Sequence, residues 1–322
     1  MKRNIWLDGI MGVVIGDALG TPIQFRSRSE VKEAPLEGMT GYGTFHMPEG
    51  SWSDDSSLTL ATLCSIRELG RLDSNDIIKR FVDWYENGAY TPYGFAFDIG
   101  ATCEEAICRY ENPYNYKECG CTGERSNGNG SLMRIMPACL YVYEQTKAGA
   151  LTEEEGVEVI HEVSALTHAH LRSKMACGFY FFIVKAILDE AGPLISKLQK
   201  GIDAAVAFYK QDCRNLVQLA YYGRLYNQEE FAEVEEDAIN SSGYVVDSLE
   251  AAVWSLITTD SFEECALKAV NLGGDTDSIG AIACGLAGLH YGYNQIPEEW
   301  KMVIQKRGWM EEIIGSVMHP FL

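Results

Sequence analysis

Along most of the chain, apolar residues recur at three- and four-residue spacing, as in Val246, Leu249, Ala252, Val253, Leu256 and Ile257. That is the repeat of a helix with a buried face, and no segment sustains the strict alternation of a half-buried strand. The pattern predicts helices over Leu7–Leu19, Ser57–Leu69, Asn75–Tyr85, Ala101–Tyr110, Ser131–Glu144, Glu153–Thr167, Arg172–Glu190, Ile195–Tyr209, Phe231–Asn240, Val246–Thr258, Phe262–Asn271 and Ile279–Tyr291. The expected fold class is therefore all-α, one compact multi-helix domain over residues 1–322. Between the helices lie Gly- and Pro-punctuated loops at Glu33–Trp52 and Glu111–Gly130, and a possible loop insertion at 211–231. Phe179-Tyr180-Phe181-Phe182, inside an apolar helix, reads as core.

Two short acidic clusters break this pattern: Ser53-Asp54-Asp55-Ser56 and Asp275-Thr276-Asp277-Ser278, each just before an apolar helical run. Asp and Ser are preferred helix caps, so Asp55 or Ser56 could start one helix and Asp277 or Ser278 the other. Capping does not require doubled carboxylates, whose mutual repulsion is unfavourable unless a cation intervenes. Four carboxylates flanked by hydroxyls are the hard oxygen donors that Mg²⁺ or Mn²⁺ takes. If the clusters meet in space, the chain is a two-metal hydrolase.

Composition narrows the partners. A hydrophobic fraction of 47% is ample for a packed core and excludes wholesale disorder. The formal charge of −20 disfavours nonspecific binding to nucleic acid or anionic membrane, which needs Lys and Arg. Ten cysteines stand at irregular spacing, many in apolar helical contexts such as Cys64, Cys139, Cys177, Cys265 and Cys284. The close pair Cys119-Gly120-Cys121 has no second pair to complete a zinc site, so a reducing, cytoplasmic setting is expected. Asp8 and Asp17 interrupt the N-terminal apolar stretch and rule out a signal peptide there. No apolar run is long enough to span a bilayer.

Gly128-Asn129-Gly130-Ser131-Leu132-Met133-Arg134 is rich in small residues whose backbone N–H groups can converge on an anion, with a helix expected to open at Ser131. It lacks the Gly-Lys-Thr ending of a P-loop. In chain order the motifs are Gly16-Asp17-Ala18-Leu19-Gly20, Trp52-Ser53-Asp54-Asp55-Ser56, Phe97-Asp98-Ile99-Gly100, this glycine-rich segment, Thr167-His168-Ala169-His170 and Asn271-Leu272-Gly273-Gly274-Asp275-Thr276-Asp277-Ser278. That series closely resembles the ADP-ribosylglycohydrolase family, which includes dinitrogenase reductase-activating glycohydrolase and the ADP-ribosylarginine hydrolases. The likeness runs from about Ile10 to Gly292 and extends to Gly243-Tyr244-Val245-Val246-Asp247-Ser248-Leu249-Glu250-Ala251.

The resemblance implies an all-α fold with a binuclear Mg²⁺ or Mn²⁺ centre at the base of a cleft. Ser53, Asp54 and Asp55 would supply one half of the two-cation site, and Asp275, Asp277 and Ser278 the other. Ser126, Asn127, Gly128, Asn129, Gly130 and Ser131, with Met133, would hold the diphosphate of ADP-ribose. His168 would lie beside the ligand, Asp98 would approach the ribose, and Tyr93 is a candidate for stacking on adenine. Two cations would orient the sugar and lower the pKa of a bridging water for attack on the anomeric carbon, with Asp54 or Asp55 orienting that water.

One position departs from the family pattern. Gln24 stands where many members carry a glutamate that reaches the scissile linkage; a neutral amide donates a hydrogen bond but cannot act as a base. Either a carboxylate such as Asp98 does that work, or the chain favours a linkage needing less base assistance, or it binds ADP-ribose with little turnover. The expected activity is release of ADP-ribose from a modified protein or small molecule, with arginine the first acceptor by analogy. The alternatives are a non-catalytic ADP-ribose-binding or crystallin-like relative, and a two-metal phosphohydrolase acting on ADP-ribose or a nucleotide.

Overall fold

The computed structural model describes residues 3–111 and 115–317 and is helical throughout. Residues 112–114 of the expected 111–130 loop lie outside the described residues, which contain no β-strand. Two isolated bridges join Cys121 to His168 and Gly128 to Tyr244.

Two helices run through the middle of the protein. Ile5–Gly20 is buried from Asp8 to Gly20, and Thr276–Tyr291 from Thr276 to Leu289. An apolar surface all round is what a central helix requires. The pair meets along a glycine seam. A Cβ on Gly16 would stand 2.0 Å from the Gly280 carbonyl oxygen, and one on Gly20 would stand 2.3 Å from the Asp277 nitrogen. Only glycine permits so close a backbone approach. The seam therefore brings Asp17, near the end of one helix, to Asp277, at the start of the other.

The remaining helices enclose this pair. Leu171–Asp189 buries Phe179, Tyr180, Phe181 and Phe182, as their spacing predicts. Ser74–Asn87 is a surface helix that turns Ile77, Ile78, Phe81 and Trp84 inward; Asp73 caps its start and Gly88, at φ 67°, ends it. The expected helices near 101–110, 153–167, 195–209, 246–258 and 262–271 form as Ala101–Glu111, Glu153–Ala165, Leu194–Tyr209, Val245–Ile257 and Phe262–Val270. Short helices at Arg28–Glu33 and Glu298–Val303, and one at Arg307–Gly315, have too few periodic positions to stand out in the sequence.

Three expectations are corrected. The helix assigned to Ser131–Glu144 begins only at Met136, because Pro137 suits the first helical turn and residues 131–134 form turns. Phe231–Asn240 is not one helix but Gln228–Ala232 followed by a 3₁₀ turn at Glu236–Ala238. Side chains take its carbonyls: Trp254 donates to Val234, and Arg28 donates to Glu236 and Ile239. The helix caps also lie upstream of the residues expected, at Ser53 and Asp275. Residues 211–231 are folded into short helical turns, with Tyr222 fully buried and its hydroxyl bonded to the Arg172 carbonyl oxygen. Among the described residues no helix is long and apolar enough to cross a membrane.

Candidate active site

The first acidic cluster is positioned by a residue that sequence reasoning missed. Ser53 caps the Asp54–Leu69 helix, and the cap lies over Asp17. One Asp17 carboxylate accepts the backbone N–H groups of Ser53 and Ser56 at 3.0 and 2.9 Å, and the hydroxyls of Ser56 at 2.5 Å and Thr21 at 3.0 Å. It thus gathers the orphan donors of a helix N-terminus, as an anion there should. Asp54 and Asp55 follow in the first turn, with the Ser53 hydroxyl donating to Asp55 Oδ2 at 3.1 Å. The signal available beforehand was a carboxylate between glycines in a largely apolar helix, a residue type rarely buried without a task.

The second cluster is held differently. Asp275 occupies the N-cap position of Thr276–Tyr291, but its side chain makes no cap bond. Instead Oδ1 accepts from Gln24 Nε2 at 3.2 Å and Oδ2 from Asn129 Nδ2 at 2.7 Å. Asp277 Oδ1 accepts from the Ser278 N–H at 2.8 Å. The Ser278 hydroxyl reaches toward Asp55 Oδ2 at 3.5 Å, linking the clusters.

Carboxylate oxygens of Asp17, Asp55 and Asp277 lie within 4.8 Å of one another, all three residues buried. Burial, then the neighbouring Asp98 and Asp55 charges, pushes Asp54 well above the usual carboxylate range. Burial does the same to Asp55, with Asp17 and Asp275 adding to it, and to Asp277, with Asp55 adding to it. Asp55 Oδ1 and Asp277 Oδ2 are buried without a hydrogen-bond partner. Buried carboxylates that crowd and repel one another, with an unpaired oxygen each on Asp55 and Asp277, fit hard divalent cations. Asp17, its pKa also raised by burial, differs in that both its oxygens accept from N–H and O–H donors, which makes it the anchor of the first cluster.

A cleft of about 250 Å³ opens over this floor, lined by Asp54, Asp275 and Ser278 below and by Gly128, Asn129, Gly130 and Met133 on one wall. Backbone pairing fixes that wall: Asn129 N–H donates to Gly243 O at 2.9 Å and Val245 N–H to Asn127 O at 3.0 Å. Gly130 is packed so tightly that a Cβ would stand 2.8 Å from His168 Cε1. His168 lines the cleft, and burial, with the Arg134 charge adding, drops its pKa to about 3, so the ring is neutral. Its Nδ1 meets the Thr167 hydroxyl at 2.9 Å, and that hydroxyl accepts from Arg134 at 2.8 Å. The neutral ring thus has one nitrogen held by the Thr167 hydroxyl, and its Nε2 lies beside the glycine wall, 3.4 Å from where a Cβ on Gly128 would stand. Asp98 completes the cleft beside Gln24 and Asp277; burial raises its pKa to about 6.

Some expected residues stand elsewhere. Ser126 and Asn127 do not line the cleft: Asn127 is tied to the Glu124 carbonyl and accepts from the Ser173 hydroxyl. Ser131 is fully buried against Ser164. Tyr93 lies off the cleft, its hydroxyl 2.7 Å from that of Ser51 and its ring stacked on Phe95. Tyr244, bridged to Gly128 and next to the lining residue Gly243, is a half-buried ring beside the glycine wall.

Known proteins resemble the chain over nearly its whole length. The family model described as ADP-ribosylglycohydrolase matches residues 3–321. The chain is 32% identical over 300 residues to an ADP-ribosylarginine hydrolase Tri1 of Serratia proteamaculans, covering 92% of this chain and 75% of the relative. It is 28% identical over 303 residues to the ADP-ribosyl-[dinitrogen reductase] glycohydrolase of Rhodospirillum rubrum, covering 91% and 88%. A solved structure titled ADP-ribosylglycohydrolase-related protein complex superimposes with a TM-score of 0.76 at 26% identity, covering 98% of each chain.

Proposed function

The chain belongs to the ADP-ribosylglycohydrolase family of hydrolases, and we propose that it cleaves the bond between ADP-ribose and an arginine side chain with divalent cations held at the cleft floor. The observation that carries this reading is the convergence of the two acidic clusters, with unpaired buried oxygens on Asp55 and Asp277, beneath a glycine wall. Ser53, Asp54, Asp55, Asp275, Asp277 and Ser278 would hold Mg²⁺ or Mn²⁺, whose chemistry when bound is to bind ribose hydroxyls, offset the crowded negative charge and acidify water. The relative named as an ADP-ribosylarginine hydrolase supports arginine as the acceptor.

The backbone N–H groups of Gly128 and Gly130 would take the diphosphate without help from a helix end, the Asn129 N–H being held by the Gly243 carbonyl. His168, neutral, turns Nε2 toward the glycine wall and would make a hydrogen bond to the phosphate or ribose there. Tyr244 replaces Tyr93 as the proposed adenine platform, because it adjoins the cleft wall.

Chemistry at the anomeric carbon needs a base, and Gln24 is not one. Asp98 takes the proton of the attacking water. The new C–O bond forms as the C–N bond to the guanidinium breaks, its electron pair stays on nitrogen, and the neutral guanidine leaves. Asp98 then returns the proton to it. Carboxylates of the floor stabilise the positive charge that develops on the sugar. Gln24 orients Asp275 through its amide N–H.

Release of free ADP-ribose from an ADP-ribosylarginine peptide, with Mg²⁺ or Mn²⁺ and again with chelator, tests the reading. Release dependent on the cation and on Asp277 is the expected result. Release of inorganic phosphate, or turnover unaffected by chelation, would sink it.

A further inference from the structure

Three phenyl rings at the mouth of the cleft have no part in the chemistry above. Phe25 follows Gln24 and lines the cleft, yet its side chain is 67% exposed. Its backbone has φ 67°, a left-handed conformation that bulky residues seldom adopt. The Phe25 ring meets Phe45 edge-on at 6.4 Å between centroids, and Phe45 meets Phe97 at 5.4 Å. Phe97 in turn precedes Asp98, also left-handed at φ 54°.

The trio is fastened to the site rather than draped over it. Phe25 N–H donates to the Gly274 carbonyl at 2.7 Å, one residue before Asp275. Thr44 N–H donates to Pro22 O at 2.9 Å and its hydroxyl to Gln24 O at 2.7 Å. Gly43 lies so close that a Cβ there would stand 1.7 Å from the Pro22 carbonyl oxygen. The loops that carry Gln24, Asp98 and Asp275 thus also carry or brace the rings. A single exposed aromatic needs no explanation. One kept in an unfavourable backbone conformation, inside a cleft, braced by two more rings and backed by Asp54, Asp98 and Asp275, does. An aromatic face backed by carboxylates selects a flat, delocalised cation.

We propose that Phe25, braced by Phe45 and Phe97, forms the acceptor subsite and holds the guanidinium of the arginine being released. It determines specificity and takes no part in proton transfer. This inference rests on the arginine reading above, and its test is independent of turnover. In an Asp277→Asn background, ADP-ribosylarginine is expected to bind about fivefold more tightly than ADP-ribose. Adding Phe25→Ala should erase that margin while ADP-ribose affinity stays within about twofold, and Phe25→Trp should keep it. Equal affinities in the parent, or a Phe25→Ala that weakens both ligands alike, overturns the subsite. A margin present in binding, with no ADP-ribose released by the wild type, supports the subsite and sinks the arginine-hydrolase reading. Release by the wild type with no margin sinks the subsite alone.

Discussion

The two acidic clusters look alike as sequence and are built on opposite principles. Ser53–Ser56 is held from below by a charge: Asp17 collects the N–H groups of Ser53 and Ser56, so the first turn of the Asp54–Leu69 helix sits on a buried anion. Asp275–Ser278 is held from the sides by neutral amides, Gln24 and Asn129, each donating one hydrogen bond to Asp275. A charged anchor makes the first half rigid but adds to the repulsion at the floor. Neutral anchors hold the second half without adding a further charge to the floor. The difference locates where substitutions should abolish the site and where they should only retune it.

The largest effect should come from removing a floor carboxylate. Asp55→Asn or Asp277→Asn is expected to lower kcat/KM by about 10³-fold or more. The same change should raise the melting temperature of the chelated protein, because a buried, repelled charge has gone. A chelated variant that melts lower than wild type would contradict the electrostatic account. Next comes the anchor: Asp17→Ala leaves several buried donors unpaired and should destabilise by about 2–4 kcal/mol, read by denaturant unfolding. If the anchor acts only through position, cation affinity should fall with it.

The glycine wall gives a more selective break. Gly130→Ala puts a methyl 2.8 Å from His168 Cε1 and 2.9 Å from Cys103 Sγ. ADP-ribose affinity should drop about tenfold with cation affinity unchanged, measured by calorimetry. On the neutral side, Gln24→Glu sets a carboxylate against Asp275. It should lower the stability of the chelated protein and tighten cation binding by about tenfold. Unchanged cation affinity would mean that position 24 does not face the cations.

A pH series sharpens the contrast with the smallest effect. Folding raises the pKa of Asp98 to about 6 and pushes Asp54, Asp55 and Asp277 well above the usual carboxylate range, so the folded chelated protein binds more protons than the unfolded chain. Stability must then fall as pH rises through this range: it is highest below the unfolded carboxylate value near about 4 and declines through the folded value. Saturating Mg²⁺ or Mn²⁺ should flatten the decline over pH 5–8, and thermal melts with and without cation read it directly.

Several features were legible before any coordinates. Helices with a long apolar repeat, such as Val245–Ile257, were placed within a residue or two, since burial of one face enforces the spacing. The acidic clusters stood out because hard ligands crowd at helix starts. Asp17 was on the page as part of a motif, yet its role was hidden: a helix buried all round has no polar face against which a single aspartate looks unusual. Ser131 and Phe231–Asn240 misled for the opposite reason. Their apolar spacing suits a helix, but Pro137 and the side-chain donors Trp254 and Arg28 decided the backbone.

By itself the sequence determined the helical class, the family and the chemistry that six oxygen-bearing residues can perform, because periodicity and donor type are local properties. Only the tertiary structure decided that Asp17 gathers the N–H and O–H donors of the first cluster, that Gly128–Gly130 rather than Ser126 or Ser131 lines the cleft, and that three phenylalanines from separate loops meet at its mouth. Those are facts of hydrogen-bond saturation and close packing between segments far apart in the chain. The glycine seam between the first helix and the last of the core is what converts the one kind of information into the other.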